Sequence, residues 1–74
     1  MANYKYRVDA ERLRAERERL GLTVDALAAL LGVRAERLRR AENGQETPRV
    51  DTLYRFALLA EVPNSVFFLD ETDS

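Results

Sequence analysis

The 74-residue chain has no cysteine, no histidine and no tryptophan, and only three glycines and two prolines. Without cysteine there is no disulfide, no thiolate zinc site and no thiol nucleophile. Without histidine the commonest general base and metal ligand are missing. The longest unbroken apolar stretch, Ala26 to Leu31, is six residues, far short of a membrane span. The N-terminus lacks the apolar run of a signal peptide. Carboxylates are plentiful, but no Asp/Glu pair stands apart from surface charge, and no Gly-rich phosphate loop is present. These absences predict a cytoplasmic protein that is not an enzyme, with no cofactor, no metal and no membrane partner. Enough remains for a fold. With 46% hydrophobic residues the chain can build one core, close to the lower size at which burial outweighs chain entropy.

The net charge of −1 speaks against a nucleic-acid partner until it is divided along the chain. Residues 1–56 carry twelve cations and nine anions, a net of +3, whereas residues 57–74 carry four anions and no cation. Between Arg34 and Gly44, four arginines face two glutamates. That local density of positive charge is where a partner would be sought.

Local punctuation predicts an all-α fold of five helices. Asp9 can cap a helix over Ala10–Leu20, followed by Gly21. Thr23 can cap Val24–Leu31, which Gly32 stops. Arg34–Glu42 reads as a third helix ending at Asn43-Gly44. Thr47-Pro48, read as N-cap and first-turn proline, opens a fourth through Ala60. Ser65–Leu69 would form a short fifth. Alternation at Tyr4, Tyr6 and Val8 leaves a short strand possible. The division expected is an N-terminal arm over 1–8, a domain over 9–69 and an acidic tail over 70–74.

The segment Thr23–Glu42 carries the strongest signal. Counted from Val24, position five is Ala28, small enough for a close helix crossing, and position nine is Gly32, suited to positive φ. Leu27, Leu31, Val33 and Leu38 fall on the apolar positions between them. Together with Leu-Gly-Leu-Thr (20–23), Glu-Asn-Gly (42–44), Pro48 and Leu53, this pattern resembles the helix-turn-helix domain of lambdoid phage repressor/Cro and Xre-type regulators. The resemblance spans about Leu13 to Leu69. It implies a compact lambda-repressor-like domain binding double-stranded DNA as a homodimer on a palindromic operator, with the third helix in the major groove.

Carried over by position, the resemblance assigns base contacts to Ala35, Glu36, Arg39 and Arg40. Arginine can fork onto guanine N7/O6 and glutamate can accept from cytosine N4. Glu36 and Arg40 are also spaced i,i+4 and would equally form an ordinary surface pair; the two readings are compatible. Phosphate contacts are expected from helix N-termini and the loop after the third helix: Thr23, Asn43, Gln45, Thr47 and Arg49, with Arg34 and Arg37 adding charge. Two positions depart from the family. Val24 stands where a phosphate-anchoring glutamine is common, and Arg34-Ala35 where a capping hydroxyl is common. A protein-interaction module on the same fold, such as an antitoxin or adaptor, is the competing reading.

Two further expectations concern structure. On the first helix Ala10, Leu13, Arg17 and Leu20 form one stripe, so Arg17 sits in an apolar face, as does Glu42 four residues after Leu38. Opposite charges so placed can satisfy each other, and the resemblance supports an Arg17–Glu42 pair joining the helices. Phe67 and Phe68 are adjacent, so either one of them, or Val66, faces a second copy, or the segment packs over the open end of the core.

Overall fold

A computed structural model describes residues 6–69. Four α-helices, α1 (Ala10–Arg19), α2 (Val24–Leu31), α3 (Ala35–Glu42) and α4 (Val50–Ala60), are followed by one 3₁₀ turn over Asn64–Phe67. The first two begin where side chains can take up orphan amides. The Asp9 carboxylate accepts from the Arg12 amide at 3.1 Å, and the Thr23 hydroxyl accepts from the Ala26 amide at 3.0 Å. Gly32 ends α2 in the left-handed region at φ +74°, which costs glycine nothing. Glu61 ends α4 in the same region at φ +61° and is the one non-glycine among the described residues to do so.

Two expected elements differ. Helix α4 starts at Val50 rather than after Thr47, with Arg49 extended at φ −70°, ψ 152° and no side-chain cap. The Pro48 carbonyl accepts the Tyr6 hydroxyl at 2.9 Å, so the chain is held extended through Arg49 before it can coil. The expected fifth helix is a single 3₁₀ turn. It is cut short because Phe68 and Leu69 straighten to pair with the chain's beginning. Val8 and Phe68 form an isolated antiparallel bridge. The Asp9 amide donates to the Phe67 carbonyl at 2.8 Å and the Leu69 amide to the Arg7 carbonyl at 3.0 Å.

Residues 6–8, read from sequence as part of an arm, therefore lie against the domain. The rest of that arm, including Tyr4, and the acidic tail 70–74 lie outside the described residues. Leu13, Leu27, Leu31, Leu38, Leu53 and Phe56 build the core, to which every helix contributes. Phe67 is fully buried and stacks on Phe56 with ring centroids 4.8 Å apart. Phe68, half-buried, meets Tyr6 edge-on at 5.6 Å. The segment packs over the open end of the core, and Phe67 has no surface left to offer a second copy.

Candidate nucleic-acid interface

Helix α3 has two unlike sides. Leu38, Ala41 and Glu42 point inward, Ala35 packs at the margin of the core, and Glu36, Arg37, Arg39 and Arg40 project into solvent. The division follows from helical spacing, since 38, 41 and 42 share one face. Arg34 occupies the N-cap with no side-chain hydrogen bond to the helix, as the missing capping hydroxyl implies.

The inward side is anchored by charge. Arg17 donates to Glu42 through two nitrogens, Nε to Oε2 at 2.7 Å and Nη2 to Oε1 at 3.0 Å. Its Nη1 donates to the Leu22 carbonyl at 2.9 Å. The Glu42 hydrogen bonds outweigh burial and hold the Arg17 guanidinium above its ordinary value. Arg14 adds a bond from Nη2 to Asn43 Oδ1 at 3.1 Å. Helix α1 thereby grips the C-terminal end of α3 and fixes the angle at which its outer face is presented.

Burial on α1 also includes Glu16, which the sequence reading passed over in favour of Arg17. Glu16 is held between Arg12 at 2.9 Å and Arg19 at 2.6 Å, and Arg19 reaches on to the Ala60 carbonyl at 2.8 Å. Burial alone would raise the Glu16 carboxyl. The hydrogen bonds from Arg12 and Arg19 prevail and lower it. The readable signal is that 13, 16 and 20 form a helical stripe as good as 13, 17 and 20.

On the outer side most cations are matched by a carboxylate. Arg40 meets Glu36 at 2.8 Å and Glu46 at 3.5 Å, Arg37 meets Glu46 at 2.6 Å, and Arg39 meets Asp25 at 3.7 Å. Arg49 meets Asp51 at 3.3 Å. Arg34 has no carboxylate within 4.0 Å among the described residues. Exposed pairs of this kind are worth about 0–1 kcal/mol, so a phosphate or a base edge can replace the carboxylate at small cost. The Arg37 hydrogen bond holds the Glu46 carboxyl below its ordinary value against desolvation, with help from Arg40. Glu46 and Asp25 were not singled out from sequence; no local spacing joins them to α3.

The remaining expected contact residues lie on the surface around α3. Thr23 is exposed with its oxygen already accepting the Ala26 amide. Asn43 keeps its side-chain amide donors while its oxygen accepts from Arg14. Gln45, Thr47 and Arg49 are exposed along the loop into α4. Val66 and Phe68 are half-buried. Large exposed apolar side chains lie elsewhere: Leu30 on α2, Leu59, Leu69, and the stripe Val50, Tyr54 and Leu58, four residues apart along α4, with Leu58 64% exposed. Among the described residues no helix is long and apolar enough to cross a membrane, and no group of three acidic, His or Cys side chains is placed to hold a metal ion.

Known proteins are similar to this chain in sequence and fold. A protein of Archaeoglobus fulgidus described as an HTH-type transcriptional regulatory protein is 37% identical over 70 residues, which are 95% of this chain and 21% of that protein. The crystal structure of an HTH_3 family transcriptional regulator from Vibrio cholerae superposes with a TM-score of 0.68 at 36% identity, over 78% of this chain and 33% of that one. The chain thus spans about a fifth and a third of these two relatives. The enzyme HppE, solved with iron(II) and substrate, superposes with a TM-score of 0.73 at 27% identity over 88% of this chain and 38% of its own. Residues 13–63 match the HTH_3 helix-turn-helix family, and the chain belongs to that family, with a lambda-repressor-like fold.

Proposed function

We propose that this chain reads double-stranded DNA in a sequence-specific manner as a transcriptional regulator, most simply a repressor. Helix α3 lies in the major groove of a palindromic operator bound by two copies. The observation that carries this reading is the outer face of α3. Four residues there, Glu36, Arg37, Arg39 and Arg40, are exposed on a helix whose other side is clamped by the buried Arg17–Glu42 pair. Arg40 and Arg39 supply the forked donors for guanine, Glu36 accepts from cytosine, and Ala35 offers a methyl contact to thymine. Thr23, Arg34, Arg37, Asn43, Gln45, Thr47 and Arg49 flank α3 and take backbone phosphates. The apolar stripe Val50–Tyr54–Leu58 on α4 gives a second copy a surface to cover, where Phe67 cannot.

The test is selection from a random duplex library followed by a salt titration. A two-fold symmetric motif should be enriched, and affinity should fall linearly with salt on logarithmic axes. The second reading, a protein-interaction module with weak or no DNA binding, draws on the carboxylates that already occupy Arg37, Arg39 and Arg40. It draws also on the occurrence of the same fold within the much longer chain of HppE. Absence of enrichment, with weak binding even at low salt, decides for it.

A further inference from the structure

A groove of about 300 Å³ opens between the α2–α3 turn and the first turns of α4. Four arginines line it: Arg34 at the start of α3, Arg37 one turn on, Arg49 at the entry to α4, and Arg55 one and a half turns further. Asp51 is the one carboxylate among the lining residues. Arg55 had no role in the sequence reading. Its Nη1 donates to the Leu31 carbonyl at 3.2 Å, an orphan acceptor at the end of α2. That bond fixes the guanidinium at the groove and leaves its other N–H groups uncommitted. Arg34 makes no side-chain hydrogen bond or ion pair among the described residues, although it stands at the mouth of the same groove. Arg37 is already paired with Glu46 and Arg49 with Asp51, so the positive potential of this concave wall rests on Arg34 and Arg55. Guanidinium forks match the oxygens of phosphate in geometry as well as charge.

We propose that this groove is a binding site for a phosphate group, with Arg34 and Arg55 as its principal donors and Asp51 as an internal competitor through Arg49. Two sources offer that chemistry: a backbone phosphate of bound DNA, or the terminal phosphate of a small phosphorylated molecule. Only the first source rests on the DNA reading.

The experiment is an amide-shift titration of the protein with inorganic phosphate against chloride at constant ionic strength, repeated with a short duplex. Saturable shifts are expected at residues 32–34 and 50–52. Arg34→Gln, at a side chain with no bond to lose, should weaken phosphate by about tenfold, the effect of removing one charged hydrogen-bond partner. Asp51→Asn should tighten it. Arg7→Gln, which removes the same charge at an exposed position outside the groove, should leave it unchanged. If duplex displaces phosphate and Arg34→Gln weakens every duplex alike, the ligand is a backbone phosphate. If phosphate saturates and duplex does not compete, the site takes a small phosphorylated molecule, whatever becomes of the DNA reading. The proposal is overturned if Arg34→Gln alters neither phosphate nor duplex affinity more than Arg7→Gln does.

Discussion

Two Arg–Glu pairs, one joining α1 to α3 and one within α3, have the same chemistry and opposite consequences. In Arg17–Glu42 the side chains are 14% and 4% exposed; in Arg40–Glu36 they are 48% and 69% exposed. Out of water, neither member of the first pair can lose its partner without leaving a charge stranded in low dielectric. In water, either member of the second can exchange its partner for solvent, a phosphate or a base. Burial therefore makes the first a fixed part of the scaffold and leaves the second free to work as a contact surface. One eight-residue helix takes part in both because its two faces lie on either side of the solvent boundary.

The comparison can be broken most sharply at the buried pair. Arg17→Met and Glu42→Ala should each cost about 3–5 kcal/mol of folding stability, the range for removing one partner of a buried pair. The double variant should cost much less than their sum, as read by denaturant unfolding. Strictly additive losses would show that the two side chains do not depend on each other. Arg40→Ala should do the reverse: leave stability nearly untouched and cost about 1–3 kcal/mol of DNA affinity with relaxed preference at one base pair. Arg49→Ala should weaken all duplexes alike and lower the salt slope by about one. A base preference altered by Arg49→Ala would overturn the division between reading and positioning contacts.

Smaller effects sharpen the same contrast through pH. Glu16 has a folded-state value below the ordinary 4.5, so its contribution is fully present above about that pH. It is lost as pH falls through the folded value, when the carboxyl takes up a proton and releases Arg12 and Arg19. Glu16→Gln should flatten the acid limb of the stability curve and change little in its slope near neutrality. The smallest effect belongs to Glu36→Gln, which should shift stability by less than about 0.5 kcal/mol. A larger loss would mean that the exposed pair also supports the scaffold.

What could be read from sequence divides along physical lines. Asp9, Thr23 and Gly32 punctuate helices through bonds to residues three or four away, and each stands where its local chemistry places it. Thr47-Pro48 carries an equally plausible local signal, yet α4 waits for Val50 because a hydroxyl from Tyr6, far away in sequence, takes the Pro48 carbonyl. Arg17 was legible as a charge in an apolar stripe. Glu16 was not, because the stripe tolerates either residue and only the approach of Arg19 to the end of α4 draws Glu16 inside. The contact face on α3 follows from helical spacing, whereas the carboxylates that occupy it, Glu46 and Asp25, come from a loop and from another helix.

The sequence by itself determined where the helix-turn-helix lies: helix spacing, caps and a glycine at positive φ act within a few residues, and packing of the apolar faces then holds helices this short. Tertiary structure alone decided that Phe67 is core rather than contact and that Arg34 and Arg55 share a groove. It also set the start of α4 at the point where the first described residues cross it. Burial and the partner of a charge depend on which element arrives alongside, and no local pattern records that arrival.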